Sequence, residues 1–533
     1  MRNVLDGGEA ILEAFRNLGV DYILSSPGSE WSPIWEAMSR QTEEKNAGPR
    51  FIDCWHETLA VDMALGYTAM TGKMQAVLVH AGVGLMHGSM AMLSASKAEL
   101  PVLVMSGEST SFGDDPEVDV EPQWYGGVSE GGSHRFVAPI VKYATQVTSP
   151  GTLYNTIVRC GEMTQRTPQG PVYVNLSLEA ILAPWKRPDD LRPAPEAPKL
   201  QARPEDIEAV AALLRSARNP VIVTETAGRD PAAFDALATL ADTLAIPVVQ
   251  GRASVYTNIA RDHDMWLGHM NFGMVAEADL VLLVSGKTPW NPPSKRPTQG
   301  TIVSISEYPL KAHLAYQVLH ADRYLEGDVA TALRLLTDAA KPGPDDAARI
   351  ADRRARWKKE HDALIARQKD AEQKALATGR IDAIALAAVA AETLPADVVV
   401  CDETITHMPV MRPHLPLNKA QSFFRVTGGA LGQGIGAALG AKLAARDRPV
   451  VLFVGDGSFL YNPVVQAFGA SKTYELPIII VVCNNRRYEA MRKGHVIYYE
   501  GGVADTTRFH HGVEIEGPEY HELGSHFGFY GAK

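Results

Sequence analysis

Two oxygen-bearing side chains near the end of the chain could hold a hard cation: Asp456 in Gly455-Asp456-Gly457 and Asn485 in Asn484-Asn485. Twenty-six residues separate the two motifs. An apolar run, 450–454, leads into the first, and another, 478–483, leads into the second. A helix-like segment joins them, so the stretch reads as a strand–helix–strand unit whose functional groups gather at the carboxyl ends of its strands. A carboxylate and an amide oxygen side by side suit Mg²⁺, which completes its shell with water and phosphate oxygens. Gly457 lets backbone N–H groups approach such a phosphate at the start of the next helix. Asp-Gly alone also marks hairpin turns. What makes the pair specific is a second oxygen ligand at a second strand end.

Far upstream, Glu57 follows His56 at the junction of a strand (50–54) and a helix (57–71). That is a carboxyl end where sites collect, although a first-turn glutamate is also favoured by the helix dipole. His80 closes another strand (75–80) and precedes a glycine-rich helix start containing Gly82, Gly84 and Gly88. A strand-end histidine that is merely hydrogen-bonded is an equally good reading. His87 lies about two helical turns further on.

The Gly-Asp-Gly motif with its distant Asn-Asn resembles the thiamine diphosphate motif of the acetolactate synthase, benzoylformate decarboxylase and pyruvate decarboxylase superfamily. The segment 423–436, FFRVTGGALGQGIG, is a second match, and Ser26-Pro27-Gly28 resembles the family's first strand-end loop. The resemblance implies thiamine diphosphate and Mg²⁺ as cofactors. Asp456, Asn485 and the carbonyl of Arg487 would bind the metal. Pro27, Gly28, Gly455, Gly457, Ser458, Asn485 and Tyr488 would line the cofactor. Glu57 would hydrogen-bond N1′ of its aminopyrimidine, Gly429 would accept from N4′, and Leu431 would wedge beneath it. The loose match at 402–407 adds Thr404, Thr406 and His407 as diphosphate partners. His80, Gln123 in the long polar stretch 108–135, and Glu489 are the further catalytic candidates. NNRRYEAMR resembles a benzoylformate decarboxylase segment, which makes Ala490 and Met491 pocket residues and leaves Glu489 as a departure, with a surface helix carboxylate its alternative reading.

In such a family the expected fold is α/β, three doubly wound parallel-sheet domains: an aminopyrimidine domain (1–183), a central domain (204–340) and a diphosphate domain (376–533). Glu57 and Asp456 would act from different subunits, so the resemblance implies a homodimer at least and a homotetramer as the fuller assembly. The expected chemistry is cleavage or formation of a C–C bond beside the carbonyl of a 2-oxo acid, as in a decarboxylase or an acetolactate synthase-like carboligase. A 2-hydroxyacyl-CoA lyase or oxalyl-CoA decarboxylase type is the alternative. A non-catalytic scaffold subunit is a distant third, because Glu57 and both metal ligands are intact.

The elements that must position these residues alternate along the chain. Helix, strand, helix and strand follow one another from Gly7 to Leu176 and again from Pro204 to Ser306, the pattern of parallel sheets with helices on both faces. Prolines 184, 188, 193, 195 and 198 mark a linker between them. In the middle segment the prolines and Trp290 of SGKTPWNPPSKRP fill space that FAD would need, while Lys287 and Arg252 leave an ADP or CoA moiety open. The charged stretch 345–376 reads as a solvated amphipathic helix linking domains. A net charge of −11 argues against nucleic acid as a partner. Four scattered cysteines, a start without a signal-peptide core and the lack of a membrane-length apolar run point to a cytoplasmic protein.

Overall fold

The computed structural model of the 533-residue chain describes residues 5–26, 28–108, 131–251, 253–287, 290, 294, 296–314, 321–425 and 428–533. They divide into two compact units: Met1–Pro198 with Val426–Lys533, and Lys199–Arg425. The strand pairs with a described register run parallel, with helices carrying the chain back between strands, so three parallel-sheet α/β domains are present as expected.

In the first unit six strands run in the order Arg50–Asp53, Tyr22–Ser25, Gln75–Val79, Val102–Glu108, Val172–Ser177, Tyr143–Val147. The central strands are buried along their whole length, which is why they read as unbroken apolar runs rather than alternating ones. Tyr143–Val147 was not expected as a strand. It is an edge strand, half-buried except at Val147, so its sequence YATQV carries too little apolar signal to stand out. The same unit holds the strand pair Val450–Gly455 and Ile479–Cys483, whose register sets Gly455 opposite Cys483. Asp456 and Asn484-Asn485 therefore leave the sheet from the same end.

The spine of this unit is a crossing of two helices, Glu57–Thr71 and Gly434–Ala444. Both are buried almost all round, and their faces are made of small residues. A β-carbon on Gly66 would sit 2.0 Å from the carbonyl oxygen of Ala437, and one on Gly440 would sit 2.0 Å from that of Met63. At Gly436 it would come within 2.7 Å of the Asp62 side chain. Gly66 and Gly440 thus let the two backbones touch and Gly436 clears the Asp62 side chain, which fixes the depth at which Glu57 begins its helix.

In the second unit the strand order is Arg323–Glu326, Thr301–Ser306, Leu280–Val284, Pro220–Thr224, Val248–Gln250, Trp266–His269. The first and last of these were missed by sequence reasoning, being short and flanked by polar residues. Val399–Glu403 and Phe423–Arg425 form a further parallel pair. The charged helix, Ala347–Ala377, is not simply solvated. Its Arg353, Trp357, His361, Gln368 and Ala375 are buried, and Arg353 donates to the carbonyls of Leu244 and Ala217 at 3.1 and 2.8 Å. Carbonyl groups at the ends of other elements explain why a charged stripe can face inward. No disulfide joins the four cysteines, all of which are buried. Among the described residues no helix is long and apolar enough to cross a membrane.

Candidate active site

The geometry at the carboxyl end of the Val450–Gly455 strand is that of a cation site without a protein donor. Asp456 is the first residue of the helix Asp456–Tyr461 and is 3% exposed. Its Oδ1 accepts the Gly457 N–H at 3.0 Å, whereas Oδ2 is buried and has no hydrogen-bond partner among the described residues. A buried carboxylate oxygen without a donor is costly unless a cation meets it. Asn485 is half-buried, and its Oδ1 accepts the Arg487 N–H at 3.1 Å, a local turn that orders the strand end. Arg487 itself bridges to Glu514, and the Tyr488 N–H reaches the Val513 carbonyl at 2.8 Å, so the loop carrying the third expected ligand is pinned from its far side. A β-carbon on Gly457 would fall 2.3 Å from the Tyr488 ring. Glycine is what admits that ring.

Ser458 is buried, and its carbonyl accepts the Asn462 side-chain amide at 2.9 Å. Asn462 also accepts the Ile435 N–H at 3.0 Å. One asparagine, not singled out from the sequence, therefore ties the Gly-Asp-Gly helix to the start of the Gly434–Ala444 helix. Just before that helix lie Gly429, exposed with φ +76°, and half-buried Leu431. The side chains of Ser94 and Gln433 meet at 2.8 Å beside this turn.

Glu57 heads its helix, capped by His56, whose Nδ1 accepts the Thr58 N–H at 3.2 Å. The carboxylate is 14% exposed and lies 3.1 Å from Nδ1 of the exposed His87. The rings of His56 and His87 stack at 5.4 Å, and the Thr58 hydroxyl donates to the His87 carbonyl at 2.6 Å. A β-carbon on Gly84 would come within 2.9 Å of Glu57 Oε1, so this glycine keeps the acid uncovered on that side. Burial pushes His56 below the usual imidazole range.

His80 follows the Gln75–Val79 strand rather than closing it. Its Nδ1 stands 2.9 and 3.1 Å from the two carboxylate oxygens of Glu30, which is fully buried. A β-carbon on Gly28 would overlap both groups, at 2.0 Å from Nδ1 and 2.1 Å from Glu30 Oε2. Glu30 escaped sequence reasoning, although its signal was there: an acid two residues past a strand-end glycine and beside Trp31, whose indole donates to the Val79 carbonyl. Glu108, also buried, was read only as the start of a polar stretch. It accepts from Gly132 N–H, Ser133 and Gln146 at 2.9, 2.5 and 2.9 Å.

The remaining expected residues divide by place. Pro27, Gln123 and Arg252 lie outside the described residues. Ala490 and Met491 stand exposed on the helix Glu489–Tyr498, none of whose residues is buried. Glu489 accepts two bonds from Arg492 at 2.9 and 2.8 Å and has Arg487 at 3.1 Å. Arg492 first among these cations holds it below the usual carboxylate range, so at neutral pH it is an ion-paired carboxylate. In the second unit Thr404 is fully buried, its hydroxyl meeting Asp402 Oδ1 at 2.8 Å and accepting the Met408 N–H at 2.9 Å. Thr406 and His407 are half-buried at the start of the short helix Met408–Met411. Lys287 is buried rather than facing outward.

The first unit's donor set fits thiamine diphosphate with a divalent cation: a buried carboxylate oxygen without a donor beside a helix start, a glycine turn, and an uncovered acid. The sequence matches three family models, described as the N-terminal TPP binding domain of thiamine pyrophosphate enzymes over 5–120, their central domain over 207–336 and their C-terminal TPP binding domain over 404–533. Together these span more than half of the chain. A probable 2-ketoarginine decarboxylase of Pseudomonas aeruginosa is 28% identical over 505 residues, covering 91% of this chain and 83% of that one. The large subunit of acetolactate synthase isozyme 2 of Escherichia coli is 23% identical over 548 residues, covering 99% and 90%. Among solved structures, the 4-hydroxybenzoylformate decarboxylase of Rhodococcus jostii superposes with a TM-score of 0.79 at 21% identity, covering 98% of this chain and 93% of that one, a likeness of fold. The chain belongs to the thiamine diphosphate-dependent enzymes of the acetolactate synthase and benzoylformate decarboxylase superfamily.

Proposed function

We propose that the protein is a Mg²⁺-dependent enzyme that breaks, or breaks and re-forms, the C–C bond beside the carbonyl of a small 2-oxo acid, acting as a homodimer at least. The observation that carries this reading is Asp456 Oδ2, buried without a donor at a strand end that also presents Asn485. The metal would be held there by Asp456, Asn485 and the Arg487 carbonyl, with diphosphate oxygens and water completing its shell. Bound in this way, thiamine diphosphate supplies the electron sink for the carbanion left when the bond beside a carbonyl breaks.

The chain's own residues do the rest. Glu57 would hold the aminopyrimidine through a hydrogen bond at N1′, and the Gly429 carbonyl would accept from N4′. Leu431 would pack beneath the bound ring and limit its freedom, the kind of positioning by which a protein lowers the entropy cost of a reaction. His80, oriented through Nδ1 by Glu30, moves a proton at the substrate through Nε2. Glu108 orders the far end of the polar stretch that begins with it.

The test is to offer purified protein, with thiamine diphosphate and Mg²⁺, a panel of 2-oxo acids and 2-hydroxyacyl-CoAs, and to identify products by mass. CO₂ release from a 2-oxo acid, with an aldehyde or a ligated hydroxyketone, is expected. An aldehyde or formyl-CoA from a thioester would replace this reading with that of a CoA lyase. Binding of the cofactor with no turnover of any substrate would point to a scaffold subunit.

A further inference from the structure

The turn that carries the chain from the strand Arg50–Asp53 into the helix of Glu57 holds a bulky residue in a backbone conformation that such residues seldom adopt. Trp55 has φ +56°. In this left-handed region the β-carbon crowds a carbonyl oxygen, so a tryptophan stays there only where its surroundings hold it. Glu99 and Ala245 share the angle, but each caps the C-terminal end of a helix, a common place for it. Trp55 instead stands two residues ahead of Glu57, and His56 returns to extended backbone before the helix starts. What holds the turn comes from the last third of the chain. The indole lies on the bare backbone of Gly469, in the helix Val464–Thr473, where a β-carbon would stand 2.2 Å from Cζ3 and 2.8 Å from Cη2 of the ring. Tyr474, which ends that helix, accepts the Asp53 N–H with its hydroxyl at 2.6 Å, and Asp53 Oδ1 accepts the Trp55 N–H at 3.3 Å. Cys54 donates to the Ser25 carbonyl at 2.8 Å. The indole is 53% exposed, so it is seated by this one face rather than by enclosure.

We infer that Trp55 is a positioning residue for Glu57: its ring, seated on Gly469, holds the left-handed turn that aims the carboxylate at the head of the helix. The inference rests on the role proposed above for Glu57 at the aminopyrimidine. Asp53 and Cys54 are fixed by main-chain bonds, so the angle at Trp55 decides where His56 and Glu57 go. Without its seat the backbone there relaxes to negative φ and redirects both. The body of the helix does not follow, because Gly66 and Gly440 lock it against the helix Gly434–Ala444. The displacement is therefore confined to the first turn, where Glu57 stands. Gly469 supports the same reading, since glycine inside a helix is unfavourable unless something needs the space, and here the indole fills it. Trp55 acts through Glu57, not on the reacting atoms.

Trp55→Ala, Trp55→Phe and Gly469→Ala in the full-length protein test this. Each is read by melting temperature, by calorimetric affinity for thiamine diphosphate with Mg²⁺, and by kcat and KM on a 2-oxo acid that the wild type turns over. Trp55→Ala should lower kcat by ~10- to 10²-fold, the scale of a small misplacement, with KM for the acid within about twofold. Cofactor affinity should fall by about 2- to 12-fold, the net worth of one hydrogen bond. Trp55→Phe keeps a ring on Gly469 and should retain most of both. Gly469→Ala, ordinarily favourable inside a helix, puts a methyl where the indole lies and should reproduce the loss. In the Trp55→Ala background it should add nothing, because both changes break the same contact. Single losses that add, losses that merely track the unfolded fraction, or a Trp55→Ala protein with wild-type kcat and cofactor affinity would each overturn the proposal. A wild type that binds no thiamine diphosphate would overturn the functional reading itself, and this inference with it.

Discussion

Set side by side, two groups of strand-end polar residues, one in each unit, behave in opposite ways. Around Glu225 in the second unit they satisfy one another. Glu225, fully buried after the Pro220–Thr224 strand, accepts the N–H groups of Ala253 and Lys287 at 2.9 and 2.5 Å, and the Asn258 amide reaches Gln250, Ser254 and two carbonyls. In the first unit Asp456 keeps an oxygen without a donor among the described residues, and Glu57 is met by an exposed histidine. The same architecture thus yields a closed network in one place and open valences in the other. The open one is where a ligand has work to do, although Thr224 Oγ1 and Trp290 Nε1 of the second unit are also buried without a hydrogen-bond partner among the described residues.

Four substitutions sharpen that contrast, in decreasing order of expected effect. Glu57→Gln keeps the shape and removes the ionisable carboxyl, so turnover should fall by at least ~10²-fold with the melting temperature unchanged. Unchanged turnover would remove Glu57 from the mechanism. Asp456→Asn should weaken Mg²⁺-dependent cofactor binding by at least ~10-fold in calorimetry while the apo fold is as stable or more so, because an unmet buried charge is gone. A less stable apo protein would mean that Asp456 is structural.

Asp402→Asn probes the closed network through pH. Burial first, opposed by Arg425, pushes the Asp402 carboxyl up from 3.8 to about 6. The folded chain therefore holds this proton more tightly than the unfolded one. Its contribution to stability is complete below about 3.8 and is lost as pH rises through 6. Melting temperatures between pH 4 and 7 should lose part of their downward slope in the variant, and an unaltered slope would refute the assignment. Smallest is Glu489→Gln. Its pair with Arg492 on a surface helix contributes little, a contribution present above the ordinary carboxylate range and lost as pH falls through the lowered one. Activity should hold within about twofold if the ion pair is all that Glu489 provides, whereas a large loss would restore it as an acid–base group.

What the sequence made legible follows the same division. Apolar runs buried on both faces, such as 450–454 and 75–79, announce strands without any partner being known, and with them the fold. Asp456 and Asn485 could be placed together because strand ends are where such runs stop. Glu30 could not, because its role depends on His80 fifty residues away and on the missing side chain of Gly28 between them. Asn462 was equally hidden, since its importance lies in two backbone atoms that only the folded chain brings to it. The edge strand Tyr143–Val147 and the inward stripe of Ala347–Ala377 were obscured for a different reason, as their burial is partial or met by carbonyls rather than by apolar side chains.

The touching helices at Gly66, Gly436 and Gly440 carry a warning for anyone who maps this enzyme by saturation mutagenesis. Replacing Gly66 or Gly440 forces main chains apart, and a side chain at Gly436 collides with Asp62, with an overpacking penalty of about 1–3 kcal/mol or more. A growth or activity screen would therefore score these silent positions as harshly as Glu57 or Asp456. Only a parallel readout of cellular protein abundance would separate residues that react from residues that let the reacting ones stand where they do.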